Sequence, residues 1–404
     1  MQPEYRSSAP DRADQDVPMT YTPRDTVPET TGESTTRSAS AAPRKTVNAV
    51  MADWPMARFS FALSRRMCKG LLMLAVALTL ALILSVVLLV GGRKTFFDPS
   101  LRGQSPQGSG AVSADGDHPF ADGPEGKFLI DIADDCTTIS SNQIGSTNAA
   151  LVDVSRGEII ASLGADETIY PASMTKVMTL IVAVENLPSR ESLKETVTIS
   201  AEVVEAMKRA GSSGIGLEAG EQLSVESLLY MLMLQSDGVA AGEIARYIAG
   251  SETAFVKLMN EKAKEMGLSK THFENPTGLH HKNHKSTPRE IASIMTYAMR
   301  MQLCRDIMKT QSYKAPAVGA DGKQFNYTVL HNLTVTLFNT YKPNQPDNVT
   351  VITGKTGFTD EGRYCLVTYA ESDSGQGYVC VTANAANRPQ YIQDYITIYN
   401  DYVH

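Results

Sequence analysis

Ser173 and Lys176 stand three residues apart, a spacing that puts a hydroxyl and an amine on one face of a helix. That pair can perform acyl transfer without a histidine. Serine is a poor nucleophile at its ordinary pKa and needs an adjacent base. Lysine supplies one when desolvation and neighbouring cations draw its pKa toward neutrality. Pro171, just before the pair, suits a helix entry. Two distant stretches join it: Gln235-Ser236-Asp237-Gly238 and Gly354-Lys355-Thr356-Gly357. The second follows the β-branched run Val349 to Thr353, where an edge strand could align an extended substrate through its backbone. Lys355 and Thr356 have the chemistry to hold a carboxylate, and the glycines let backbone approach closely. Taken singly, each motif has an ordinary reading, as helix surface or as a turn at a strand end.

Positioning such groups requires elements that the local patterns predict. Residues 149–154 and 158–163 flank Ser155-Arg156-Gly157 and read as a β-hairpin. Val177 to Val184 reads as a helix buried on most faces, although its β-branched residues would also suit a strand. Val225 to Leu234, capped by Ser224, is a second helix. Val239 to Ile248, ending near Gly250, and Glu252 to Met266 follow. Thr287 caps another helix, with Pro288 in its first turn and Glu290 placed to close a capping box. Val349 to Thr353, Arg363 to Tyr369 and Gly377 to Thr382 are candidate strands, and Pro389 to Tyr402 a closing helix. Strands near both ends of a helical middle predict an α+β fold.

The N-terminal part has a different character. Residues 1–64, rich in Pro, Ser, Thr and charge, read as a disordered cytoplasmic tail. Leu71 to Val90 is an uncharged apolar run, long enough at about 1.5 Å per residue to span a bilayer. With basic flanks it defines a transmembrane segment over 65–94. Arg58, Arg65, Arg66 and Lys69 outweigh Arg93 and Lys94, so the N-terminus is expected inside and the remainder outside. Phe96 and Phe97 would rest at the outer interface. Residues 95–124 form a flexible extracytoplasmic linker and 125–404 the folded domain. The net charge of −7 argues against nucleic acid as a partner. Cys136, Cys304, Cys365 and Cys380 lie in the exported part, where Cys365 and Cys380 are compatible with a cross-strand bridge or with two buried thiols. His272, His280, His281 and His284 read as a polar loop, and neither a metal nor a cofactor is expected.

Together these motifs resemble the low-molecular-weight penicillin-binding proteins, specifically the serine-type D-alanyl-D-alanine carboxypeptidases. The likeness covers roughly residues 140–402 and includes Tyr170 to Thr179, Val351 to Asp360, and Asn275-Pro276-Thr277-Gly278-Leu279 ahead of His284-Lys285-Ser286-Thr287. It implies a five-stranded antiparallel sheet flanked by helices, plus a mainly helical lobe, with Ser173 at their junction. It implies that Ser173 attacks the bond between two terminal D-alanines of a peptidoglycan stem peptide while Lys176 takes its proton. Ser236 would relay a proton to the leaving D-alanine, Lys355, Thr356 and Gly357 would bind the substrate end, and the N–H groups of Ser173 and Phe358 would form the oxyanion hole. β-Lactams would acylate Ser173 as inhibitors. The localisation implied is the bacterial cell membrane, with one span, the lipid bilayer as a partner and the catalytic domain outside. One departure stands out: the family's middle motif usually reads Ser-x-Asn, whereas this chain has Gly238 at the third position. The rival expectations are a β-lactamase, with Glu274 as its candidate deacylating base, and a weakly active penicillin-binding wall sensor.

Overall fold

Asp153 explains how the first hairpin closes: its Oδ1 accepts the backbone N–H groups of Ser155 and Arg156, and Gly157 takes φ +70 to turn the chain back. This comes from a computed structural model that describes residues 25–26, 128–340 and 345–404. In chain order the strands are Asp25–Thr26 (β1), Asp131–Thr138 (β2), Asn148–Asp153 (β3), Glu158–Leu163 (β4), Thr196–Thr198 (β5) and Gln222–Ser224 (β6). Ser312–Val318 (β7), Gln324–His331 (β8), Val349–Thr359 (β9), Arg363–Ser372 (β10) and Gly377–Ala385 (β11) complete them. The helices are Lys176–Glu185 (α1), Ala201–Arg209 (α2), Val225–Leu234 (α3), Gly238–Ala249 (α4) and Glu252–Glu265 (α5). Pro288–Arg300 (α6), Gln302–Lys309 (α7), Leu333–Thr340 (α8) and Arg388–Tyr402 (α9) follow.

The main sheet runs β2-β4-β3-β11-β10-β9. All its pairs are antiparallel except β2 with β4. The α+β class holds, but the sheet is six-stranded and mixed rather than five-stranded and antiparallel, because β2 adds in parallel at the far edge. A smaller antiparallel sheet, β1-β8-β7-β6-β5, lies among the helices. Two cores sandwich the main sheet. On one face Val152, Val367 and Val379 meet Val177, Leu180, Leu228 and Ile291. On the other, Leu151, Leu366 and Cys380 meet Ile392, Tyr395 and Tyr399 of α9. Each fully buried side chain of this size contributes about 1.5–3 kcal/mol. α1 is buried around its whole circumference because α3, α4, α5, α6 and α7 all pack against it. That enclosure decides for helix over strand.

The predicted caps are present: Ser224 accepts from Ser227 N–H and Thr287 from Glu290 N–H, and Gly250 ends α4 at φ +77. The capping box is not reciprocated. Glu290 instead receives Lys270 N–H and the Thr271 hydroxyl, tying α6 to the neighbouring loop. Cys365 and Cys380 are both free thiols. They belong to the two different cores, on opposite faces of the sheet, so no bridge can form.

The expected apolar span at residues 71–90 lies outside the described residues, as do most of the tail and the linker. Among the described residues no helix is long and apolar enough to cross a membrane. The longest described helix, α9, has 15 residues and carries Arg388, Asp394 and Asp401; about 22 Å of helix falls short of about 30 Å of hydrocarbon. The single-pass topology, the bilayer as partner and the membrane localisation are corrected accordingly.

Candidate active site

A single 3-10 turn, Ala172–Thr175, presents Ser173 and runs directly into α1, whose first residue is Lys176. Ala172 sits at φ +46, a left-handed conformation that costs an L-residue about 1–2 kcal/mol. Neighbours hold the turn in place. Buried His284 accepts Glu274 N–H on Nδ1 at 3.2 Å, so its proton is on Nε2, which donates to Thr175 Oγ1 at 2.8 Å. Burial, followed by the nearby His272, pushes the His284 pKa down to about 3, so the ring stays neutral.

Lys176 is 1% exposed. Its Nζ lies 3.1 Å from Ser173 Oγ and donates to the Thr277 carbonyl at 2.6 Å. Desolvation draws its pKa from 10.5 down to about 7, with the Asp237 charge pulling the other way. A neutral Lys176 can spend one N–H on Thr277 and still offer a lone pair to the Ser173 proton. Thr179 Oγ1 binds the Pro276 carbonyl, and Asn275 Oδ1 gathers the N–H groups of Thr277 and Gly278. The 275–279 segment is thereby folded on itself and pinned to α1.

Across the site, Ser236 precedes α4 at φ +55, a second left-handed position. Its hydroxyl receives Lys355 Nζ at 2.9 Å, and Lys355 also donates to the Thr356 carbonyl at 2.9 Å. Burial, and then the charge of Lys176, holds the Lys355 pKa well below 10.5. Asp237 turns away to cap α4, accepting Ala240 N–H at 2.9 Å and Ile215 N–H at 2.8 Å. Burial raises its pKa.

The glycine-lysine-threonine run lies inside β9, which continues to Thr359 instead of turning at Gly354. Among the described strands β9 pairs only with β10, so its outer edge is unpaired by the sheet. There it passes the Ser173 turn so closely that a Cβ on Gly357 would lie 3.1 Å from Ser173 N and Pro171 O. Phe358 follows with its side chain 51% exposed, tilted against Tyr364 at 4.6 Å between centroids. The structure thus joins Ser173 with Lys176 and Ser236 with Lys355, and sets Gly357 against the Ser173 backbone. Thr356 is half-buried beside Lys355, and Gly238 is buried as the first residue of α4. Glu274, the base considered for a β-lactamase, faces the histidines instead, with His272 Nε2 and His281 Nδ1 each 3.3 Å from its Oε1.

Sequence reasoning gave no role to Thr277, Gly278, Thr175 or His284. Thr277 acts through a backbone carbonyl, which leaves no side-chain signature; the family likeness of the 275–279 segment was the available signal. Gly278 stands at φ +82, and a Cβ there would lie 1.9 Å from the Ala172 carbonyl oxygen and 2.9 Å from Ser173 N. Gly278→Ala therefore pushes the nucleophile turn out of place. The expected result is a loss of about 2–4 kcal/mol of stability and at least about tenfold slower penicillin acylation. Denaturant unfolding and stopped-flow labelling measure the two, and wild-type values in both would refute the close approach.

A family model described as D-alanyl-D-alanine carboxypeptidase matches residues 135–387. The chain is 32% identical over 224 residues to D-alanyl-D-alanine carboxypeptidase DacF of Bacillus subtilis, covering 55% of this chain and 54% of that one. It is 30% identical over 236 residues to the D-alanyl-D-alanine endopeptidase of Escherichia coli, covering 57% and 69% respectively. Among solved structures, a Streptomyces DD-transpeptidase superposes with a TM-score of 0.58 at 27% identity, covering 65% of this chain and 98% of that one. The alignment spans about half the length of the Bacillus relative. Because the matched region, residues 135–387, takes in Ser173, Lys176, Ser236 and Lys355, the chain belongs to the D-alanyl-D-alanine carboxypeptidase family.

Proposed function

We propose that the protein is a serine-type carboxypeptidase that removes the terminal D-alanine from peptidoglycan stem peptides and is acylated by β-lactams. The observation that carries this reading is the pairing of Ser173 Oγ with a buried amine whose pKa is drawn to about 7. Ser173 Oγ bonds to the carbonyl carbon of the penultimate D-alanine as Lys176 takes its proton. The N–H groups of Ser173 and Phe358 hold the developing oxyanion; losing one such donor commonly costs about 3–4 kcal/mol. The C–N bond then breaks as the proton held by Lys176 returns through the Ser236 hydroxyl to the leaving amine, so that Lys176 is neutral again and Ser236 keeps its hydroxyl. Water attacks the ester as the neutral Lys176 accepts its proton, the ester C–O bond breaks as Lys176 hands that proton to Ser173 Oγ, and the shortened stem peptide leaves with both groups restored. The domain read over residues 125–404 is the part that acts.

Lys355, Thr356 and Gly357 receive the terminal carboxylate, an anion that restores full charge to Lys355. Lys355→Ala is expected to lower kcat/KM for the peptide by about 30-fold or more, since truncating one partner of a buried charge pair costs about 2–5 kcal/mol. Phe358→Ala, which keeps the backbone donor, is expected to cost about threefold or less. Steady-state kinetics on both variants check this ordering, and the reverse ordering would remove Lys355 from the site.

The deciding experiment incubates the full chain with a diacyl-L-Lys-D-Ala-D-Ala peptide and follows free D-alanine, alongside stoichiometric labelling by penicillin. Release together with labelling supports the proposal. Rapid release of hydrolysed β-lactam would select a β-lactamase, and labelling without D-alanine release would select a sensor.

A further inference from the structure

Gly238 leaves the middle motif without its usual amide, yet the space in front of it is filled from another part of the chain. A Cβ built on Gly238 would lie 2.0 Å from Ser212 Oγ, 2.9 Å from Ser212 Cβ and 3.2 Å from Met207 Sδ. Rotating the Ser212 hydroxyl away would remove only the first of these contacts. The loop carrying Ser212 is bonded to the motif at three successive residues. Ser213 Oγ donates to the Ser236 carbonyl at 2.9 Å, Gly238 N–H donates to the Ser213 carbonyl at 2.9 Å, and Ile215 N–H donates to Asp237 Oδ2 at 2.8 Å. Gly214 belongs to the same fit, since a Cβ there would lie 2.7 Å from that Asp237 oxygen. Residues 212–215 and 236–238 therefore form one interlocked unit, with a left-handed Ser236 held at its centre.

From this interlock we infer that Ser212 takes over the part of the missing side chain at position 238, and that its hydroxyl positions the substrate backbone beside Ser236. The inference rests on the carboxypeptidase reading above. Chemistry favours it over simple filling of space. Ser212 is half-buried, and among the described residues its hydroxyl has one bond, a long 3.4 Å contact to the adjacent Ser213 carbonyl. A hydroxyl so weakly engaged can turn to an incoming amide. A serine hydroxyl also both donates and accepts, as the amide of asparagine does, so it can serve either group of a peptide unit. The third neighbour of position 238, Met207 Sδ, is soft and apolar, so of the atoms nearest to it the Ser212 hydroxyl is the polar one.

The test uses the full chain and three variants: Ser212→Ala, Gly238→Asn, and the double variant Ser212→Gly with Gly238→Asn. Ser212→Ala is expected to raise KM for the diacyl-L-Lys-D-Ala-D-Ala peptide by about five- to tenfold, the range of one neutral hydrogen bond, with a smaller change in kcat. Its Tm should stay close to wild type. Gly238→Asn alone should lower Tm by about 5 °C and slow penicillin acylation about tenfold, because asparagine and Ser212 compete for one space. In the double variant both values should recover to within about threefold and about 2 °C of wild type. A KM unchanged by Ser212→Ala, or Gly238→Asn tolerated without loss, or no recovery in the double variant, would overturn the inference. A wild-type chain that neither releases D-alanine nor takes up penicillin would fail the parent reading; the Tm comparison would still show whether residues 212 and 238 exclude one another.

Discussion

Ser173→Ala should abolish both D-alanine release and covalent penicillin labelling, with a residual acylation rate on the order of 10⁴- to 10⁶-fold below wild type. The size follows from the number of groups organised around one oxygen. The 3-10 turn aims Ser173 Oγ, Lys176 Nζ lies 3.1 Å away, and β9 closes over the Ser173 backbone at Gly357. Without the oxygen there is no acyl-enzyme, and none of the remaining groups can substitute. The change is small and leaves the contacts of His284 and Thr277 intact, so the fold should survive and the loss can be assigned to chemistry. Mass spectrometry after incubation with penicillin reads the covalent adduct directly. D-Alanine released at equal rates by variant and wild type would remove Ser173 from the mechanism.

Lys176→Arg should be almost as damaging, at about 10³-fold or more in acylation, although it keeps the charge. A guanidinium cannot lose its proton in the working pH range, so the variant has a cation where the reaction needs a base. The same reasoning sets the pH dependence of the wild type. With the Lys176 pKa drawn to about 7, acylation should rise with pH, bend near 7 and level off above it. Arginine at 176 should erase that bend. A wild-type rate independent of pH between about 5.5 and 8.5 would sink the assignment of Lys176 as base.

Stability should respond to pH with a definite sign. Folded Lys176 loses its proton near 7, whereas an ordinary lysine holds it to about 10.5. Between those values the unfolded chain binds more protons, so this group makes unfolding harder as pH rises. Below about 7 the full cost of burying the cation is felt. Lys355, depressed in the same direction, adds to the trend. Penicillin acylation should therefore improve on moving from mildly acidic to neutral solution, whereas the Lys176 contribution to folding stability grows from about pH 7 upward.

The fold was legible in sequence where neighbours within a few residues decide the outcome. Asp153 and Gly157 fix a hairpin turn, Ser224 and Thr287 cap their own helices by accepting backbone N–H groups, and Gly250 ends one by reaching a left-handed φ. These need no partner from elsewhere. The motifs around Ser173, Ser236 and Lys355 were legible for a related reason: residue type and short spacing state which atoms are available for acyl transfer. The sheet was less so. β2 joins β4 in parallel, and β9 runs through the glycine-lysine-threonine run, because strand partners come from distant segments.

The chain by itself therefore determined an α+β fold and the presence of a serine, two lysines and a second serine suited to acyl transfer. Tertiary structure alone decided which of them meet: Lys176 lies against Ser173 and Lys355 against Ser236. Lys176 reaches Thr277 across 101 positions and Lys355 reaches Ser236 across 119. It also decided that Lys176 is buried from water, which draws its pKa to about 7, and that Ser212 packs against Gly238. The physical reason is common to all of these. Desolvation, hydrogen bonding and steric exclusion depend on what surrounds a group in space, and here the surroundings are built from segments far apart along the chain.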